Sequence, residues 1–135
     1  MFDDKETCCF INLANRFLNH ESFYLLSLNE YEKICFNKML LGYHDENYIY
    51  IIPDVFISRC NYLLNQHGLK AFNVKQILRN LCDLKLIKTY FNPFNGIRYR
   101  IQKRVGKTRK RYITFNRGEF EKIFRGSEFV WQIKK

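Results

Sequence analysis

The stretch from Asn73 to Phe115 constrains the fold more than any other part of this sequence. At its start, apolar residues recur between Val74 and Leu84 at the three- and four-residue spacing of an amphipathic helix. Asn73 is placed to cap that helix, and Gln76, three residues later, completes a capping-box pattern. The sequence therefore predicts a helix here that packs one face on a core and presents the other face outward.

The outward face of this predicted helix carries polar and cationic side chains of the kinds that contact base edges and phosphates. The candidates for a DNA-binding recognition helix are Asn73, Lys75, Gln76, Arg79 and Asn80. The alternative is that they form the solvated face of an ordinary core helix. A helix that precedes this one and a basic segment that follows it favour the DNA-binding interpretation.

A strongly basic segment follows the helix. Between Lys85 and Gly118 the sequence has eleven lysines and arginines and no aspartate or glutamate. Alternation over 97–104 and the turn near Gly106 predict a β-hairpin, in which like charges on paired strands cost stability unless an anion compensates. We therefore expect a phosphate-binding wing. Its candidate DNA-binding residues are Arg98, Arg100, Lys103, Arg104, Lys107, Arg109, Lys110 and Arg111.

Four aromatic residues lie at the start of the basic segment: Tyr90, Phe91, Phe94 and Tyr99. Such rings are able to stack on unpaired bases. Aromatic side chains in a hairpin more often fill the space beneath it, and we expect these four to do so.

Elsewhere the sequence predicts further helices and one strand. Apolar spacing and β-rich composition place helices over 8–19, 30–41, 55–66 and 119–124, and a strand over 48–52. The expected caps of the first three helices are Thr7, Ser27 and Asp54. Gly68 is a natural cap for the end of the 55–66 helix, so this helix and the next form a helix-turn-helix. The 135 residues are thus expected to form one α+β domain. It is a winged helix-turn-helix with four to five helices, a small three-stranded antiparallel sheet and a basic wing. Residues 1–7 are expected to fray, and 125–135 to form a C-terminal tail.

The charge distribution points to an acidic partner. The net charge is +10, yet residues 1–48 contain eight acids and only four bases. The positive charge is thus concentrated in the second part of the chain, which favours nucleic acid, here double-stranded DNA, as the partner. The sequence is 47% hydrophobic, which is too apolar for a disordered polycation.

Other classes of function are disfavoured by what the sequence lacks. The five cysteines are odd in number and show no CxxC spacing, so we expect reduced thiols and a cytoplasmic location. The three histidines are far apart in the sequence. The sequence contains neither a nucleotide-binding Gly-rich loop nor a motif of catalytic residues. We expect no metal, no cofactor, no membrane span and no enzymatic activity in this domain.

Two segments resemble a known bacterial family. The run Tyr48-Ile-Tyr-Ile-Ile-Pro-Asp-Val-Phe56 and the segment Val74–Ile87, which ends in Leu-Cys-Asp-Leu-Lys-Leu-Ile, resemble the C-terminal winged-helix region of MCM-like AAA+ replication initiator helicases. These helicases are encoded by staphylococcal pathogenicity islands and cassette chromosome elements. The resemblance spans about 30–115. It implies a module that recognises the replication origin of a mobile genetic element and tethers an AAA+ helicase domain of the same parent chain to it. No Walker motif is present here, so the helicase activity itself is not expected.

Two other functions remain open at this point. A winged helix can serve as a dimeric transcriptional regulator, which reads a palindrome with two copies of its recognition helix. It can also serve as a protein docking module, in which the basic hairpin holds an acidic protein.

Overall fold

A computed structural model describes residues 4–33 and 35–124 of the chain. The helices are α1 (Lys5–Leu18), α2 (Pro53–Gln66), α3 (Val74–Asp83) and α4 (Arg117–Ile123). The strands are β1 (Phe23–Ser27), β2 (Met39–His44), β3 (Tyr48–Ile51), β4 (Tyr90–Asn92), β5 (Gly96–Arg98), β6 (Ile101–Val105) and β7 (Thr108–Asn116). A short 3-10 turn covers Leu28–Glu30. The predicted α+β class is confirmed.

The sheet is larger than the sequence predicts. Five strands pair in the order β1-β2-β3-β7-β6, and β4 and β5 form a separate two-stranded hairpin. β1 and β2 are parallel, whereas the other pairs are antiparallel. The prediction of a small three-stranded antiparallel sheet is therefore wrong.

The segment 30–41, where the sequence predicts a helix, contains the start of one extra strand. Its end belongs to β2, whose backbone is paired with β1 on one side and β3 on the other. The Ser27 side chain, expected to cap a long helix, accepts a hydrogen bond from the Asn29 amide in the 3-10 turn instead. The apolar spacing at the end of this segment is compatible with a helix or a strand. Backbone hydrogen bonds on both edges of β2 stabilise the strand.

Helix α1 begins earlier than predicted, at Lys5. Its cap is the Asp4 carboxylate, which accepts hydrogen bonds from the backbone amides of Glu6 and Thr7. Thr7, the predicted cap, lies buried in the first turn. Residues 4–7, which we expected to fray, are thus part of a capped helix.

The two helices that follow β3 form as predicted, with small shifts at their starts. α2 begins at Pro53 rather than at 55, so Asp54 lies in its first turn and is not its cap. Gly68, in the left-handed conformation with φ +69°, follows α2. Asn73 caps α3 by accepting a hydrogen bond from the Gln76 amide at 3.3 Å. The predicted strand over 48–52 is β3, and the predicted helix over 119–124 is α4, which begins at 117.

The main core lies between helices α1 to α4 and one face of the sheet. Phe10 of α1 meets Phe56 of α2 edge to face, with ring centroids 4.9 Å apart. Ile77, Leu78 and Leu81 bury the apolar stripe of α3 against this core. Burial of each such side chain contributes about 1.5–3 kcal/mol. The core therefore sets which face of α3 remains outside.

The predicted C-terminal tail, 125–135, lies outside the described residues. None of the helices described has the length and apolar character that crossing a bilayer demands.

Candidate nucleic-acid interface

The predicted wing strand is divided between two consecutive hairpins. The sequence predicts a single alternating strand over 97–104, but β5 ends at Arg98 and β6 begins at Ile101. The chain bends between them, at 99–100, and Tyr99 packs against the main core. We call β4–β5 (90–98) the aromatic hairpin, and β6 with the paired part of β7 (101–112) the basic hairpin.

The basic hairpin places cations directly opposite each other. In its register Lys103 faces Lys110, and Arg104 faces Arg109. Like charges at directly opposed positions destabilise a strand pair. Of the three ion pairs found among residues 4–33 and 35–124, none includes a residue of this hairpin. The hairpin thus carries positive charge that no ion pair of the described residues neutralises, although the nearby carboxylate of Asp45 attracts Lys103.

An aromatic cluster on the sheet face opposite the helices anchors the basic hairpin. Tyr50 of β3 packs with Val105 and Tyr112 of the hairpin, and all three are buried. The Lys103 ammonium lies 5.4 Å from the centroid of the Tyr50 ring, a distance at which cation–π attraction operates. The hairpin is therefore held at Tyr112 near its base and at Val105 beside its tip, although its charges repel.

A carboxylate holds Tyr50 in place. The Tyr50 hydroxyl donates to Asp45 Oδ2 at 2.7 Å, and the amides of Asn47 and Tyr48 donate to Asp45 Oδ1. Burial alone would raise the pKa of Asp45, but these hydrogen bonds outweigh it and hold the pKa below 3.8. Burial, together with the bond to Asp45, raises the pKa of Tyr50. Asp45 is thus an anion that locks the ring beneath the hairpin.

The tip of the basic hairpin is also docked. Gly106 has φ +62°, and a Cβ atom there would overlap the ring of Tyr31. Tyr31 follows the 3-10 turn, so the tip touches the segment that connects β1 to β2. Lys107, at this tip, is exposed.

A cationic cleft of about 640 Å³ joins α3 to both hairpins. It also reaches the start of α2, where Asp54 lines it. Its five cationic lining residues come from α3, from the end of β5 and the bend that follows it, and from β7: Lys75, Arg98, Arg100, Lys110 and Arg111. The structure therefore brings predicted residues of helix and wing into one site.

The outward face of α3 is divided into two stripes. Lys75 and Arg79, one turn apart, are both exposed, and Lys75 lines the cationic cleft. Gln76 and Asn80, also one turn apart, bond to each other through Gln76 Nε2 and Asn80 Oδ1 at 3.0 Å. Only the Lys75–Arg79 stripe is free of side-chain hydrogen bonds within the described residues.

The Gln76–Asn80 stripe is tied to the start of α1. Asn80 Nδ2 donates to Asp4 Oδ2 at 3.1 Å and to Thr7 Oγ1 at 3.0 Å. The amide of Asn73 donates to Glu6 Oε1 at 2.8 Å. The hydrogen bond from the Thr7 hydroxyl is the main cause that lowers the pKa of Asp4. Reading a base with Asn80 would require breaking these bonds.

Sequence reasoning missed the contact between the acidic N-terminus and α3. Asp4 and Asn80 are 76 positions apart, and no local pattern links them. It also missed Lys88, whose ammonium lies 4.7 Å from the centroid of the Tyr48 ring. Lys88 belongs to the acid-free segment that begins at Lys85, so its charge was the signal that would have placed it among the candidate DNA-binding residues.

The aromatic hairpin contradicts one sequence expectation. Tyr90, Phe91 and Phe94 are 56%, 67% and 93% exposed, so the prediction that they fill the space beneath the hairpin is wrong. The same prediction holds for Tyr99, which contacts the core. The chain leaves the edge of β7 after Lys88 and returns at Ile101, so the hairpin between them has no sheet face to cover.

The remaining chemistry-bearing groups show no assembled site. All five cysteines are free thiols. Within 4–33 and 35–124, no three His, Cys, Asp or Glu side chains are grouped so as to hold a metal ion.

Comparison of the chain with protein-family models, with curated proteins and with solved structures finds no match. The resemblance to replication initiators therefore stays a prediction from the sequence.

Proposed function

We propose that this chain is a winged-helix domain that binds duplex DNA, with α3 in the major groove and the basic hairpin on the phosphate backbone. The observation that carries the proposal is the presence of two directly opposed cation pairs in the basic hairpin, Lys103 with Lys110 and Arg104 with Arg109. This arrangement costs stability in the free protein. A polyanion laid along the hairpin removes the repulsion and gains charge-assisted hydrogen bonds.

The order of elements supports the winged-helix assignment. Helix α1, strand β3, helices α2 and α3, and a hairpin ending in β7 follow one another, and β3 pairs with β7. The strands β1 and β2 and the aromatic hairpin are additions to this plan. The cationic cleft places Lys75 of α3 beside Arg111 of the basic hairpin, as one continuous DNA surface requires.

The hydrogen bonds of Asn80 change which residues of α3 we expect to contact bases. We assign base contacts to Lys75 and Arg79, which are exposed, rather than to Asn80, which is bonded to α1. Lysine and arginine pair best with guanine in the major groove. The resemblance to replication initiators supports origin recognition on a mobile element as the cellular role.

A salt titration tests the proposal. Binding of a fluorescently labelled random duplex, followed by anisotropy, is expected to weaken with salt along a log–log slope of about −0.9 per phosphate neutralised. A selected duplex from a random library is expected to bind more tightly than the random one. Absence of binding, or an affinity that salt does not change, would contradict DNA binding and favour an acidic protein as the partner.

A further inference from the structure

The aromatic hairpin concentrates exposed apolar surface. Four of the ten large apolar side chains that are exposed in the described residues belong to it: Tyr90, Phe91, Phe94 and Ile97. Scattered exposed apolar residues are ordinary on a protein surface, whereas a group of them marks a contact site. We therefore expect the surface of this hairpin to bind a ligand or a partner.

Hydrogen bonds within the turn order the backbone of the aromatic hairpin. Asn92 Oδ1 accepts hydrogen bonds from the amides of Phe94 at 2.8 Å and Asn95 at 3.2 Å. Gly96, with φ +82°, supplies the left-handed residue that closes the turn. A turn stabilised by its own side chain reduces the entropy lost on binding.

The two faces of the hairpin present different chemistry. Phe91 pairs directly with Ile97, so these two side chains share one face. Tyr90 pairs with Arg98 on the other face, and Arg98 lines the cationic cleft. Tyr90 thus shares its face with a residue of the site that we assign to phosphates, and Phe91 lies on the opposite face of the same two strands.

The occupant must combine negative charge with flat apolar surface. The acid-free segment that begins at Lys85 includes the whole hairpin, so charge selects an anion. Three of the four exposed side chains are aromatic rings, and rings stack on the faces of bases. Paired bases inside a duplex stack on one another and hide those faces. Unpaired bases beside a duplex offer them.

We propose that the aromatic hairpin stacks on unpaired bases next to the duplex held by the basic hairpin, so that the domain prefers a single-strand–duplex junction to uninterrupted duplex. This inference rests on the proposed DNA binding and adds the DNA structure that is recognised. An anionic membrane, the other partner that suits apolar side chains flanked by cations, is tested alongside.

The experiment compares two labelled DNAs with equal numbers of phosphates, a blunt duplex and a duplex with a single-stranded tail. The wild-type chain is expected to bind the tailed DNA at least about fivefold more tightly. The variant F91A/F94A is expected to lose this preference and to bind the blunt duplex as the wild type does. The control F36A removes a ring that is also 93% exposed but lies beside Ser22 and Met39, at the start of β1 and β2. It is expected to keep the preference.

A second readout reports stacking itself. With 2-aminopurine as the first unpaired base, the wild type is expected to change its fluorescence on binding and F91A/F94A to leave it unchanged. A wild type without preference for the tail, or a variant that keeps it, would overturn the inference while salt-dependent duplex binding still stood. Loss of all DNA binding in the wild type would remove both proposals. Binding to phosphatidylserine vesicles that disappears in F91A/F94A, without a change on tailed DNA, would assign the hairpin to a membrane.

Discussion

The two hairpins that follow α3 are adjacent in the chain, yet their side chains meet different surroundings. The basic hairpin is anchored at both ends, through Tyr112 at its base and through Val105 and Gly106, the latter against Tyr31, at its tip. The aromatic hairpin is ordered by its own turn, and its rings remain exposed. Buried packing beneath the basic hairpin offsets its charge repulsion. The aromatic hairpin lacks such packing, which leaves its apolar surface available to a ligand. Stability and ligand binding are therefore expected to respond differently to substitutions in the two hairpins.

The largest expected effect comes from reversing charge in the basic hairpin. In R109E/K110E each new carboxylate faces a cation, Arg104 or Lys103. We expect DNA affinity to fall roughly a hundredfold, because two charge-assisted contacts of about 1.5 kcal/mol each are lost. The salt slope should flatten by about two units. Because repulsive pairs become attractive, the free energy of unfolding should stay equal or rise by up to about 1 kcal/mol per pair.

The control for this variant is R16E/K38E, which changes the net charge equally at exposed positions outside both hairpins. Anisotropy titrations and urea unfolding measure the two effects. Equal loss of affinity in both variants would show that only the overall charge matters.

The glycines of the two turns provide the next comparison. G96A and G106A both force alanine into a left-handed conformation, at a cost of about 1–2 kcal/mol, but only at Gly106 does the new methyl group meet a ring, that of Tyr31. G106A is therefore expected to lower the free energy of unfolding by more than G96A. Urea unfolding checks the order. The double variant Y31A/G106A should recover the difference, and equal losses in G96A and G106A would show that the tip is not docked.

The anchor beneath the basic hairpin predicts a pH effect. Y50F removes the hydroxyl that donates to Asp45 at 2.7 Å, and we expect a loss of about 1.5 kcal/mol at neutral pH. The folded-state pKa of Asp45 lies below its ordinary value of 3.8. Its contribution is thus present above that value and lost as the pH falls through the folded pKa. Unfolding measured across acid pH should show a shallower decline in Y50F than in the wild type. Parallel curves would mean that this bond does not set the pKa.

The smallest expected effect is a difference in the free energy of unfolding between apolar substitutions in the two hairpins. V105A removes two methyl groups from a side chain that is 8% exposed and should cost about 1 kcal/mol. F91A removes a larger group from solvent and should change the free energy of unfolding by less than about 0.5 kcal/mol. Thermal unfolding of both variants tests this order, and a larger loss in F91A would reveal a covered ring.

Much of the region around α3 follows from local rules that the sequence displays. The cap at Asn73, the turn at Gly68 and the buried stripe of α3 each depend on residues within a few positions. The segment 30–41 was predicted wrongly because its apolar spacing fits a helix, whereas its last residues, from Met39, pair with β1 and form the start of β2. The single predicted wing strand over 97–104 is interrupted by a bend at 99–100, where Tyr99 packs against the core.

The sequence by itself determined the amphipathic helix α3 and the acid-free charge of the segment after it, because both depend on residue type and spacing along the chain. Only the tertiary structure decided which side chains of that helix remain available. Asn80 is held by Asp4 and Thr7, while Lys75 shares a cleft with Arg98 and Arg111. It also decided that one hairpin buries its apolar residues and the other exposes them. Burial depends on which elements lie opposite, and that is settled by packing between segments far apart in sequence.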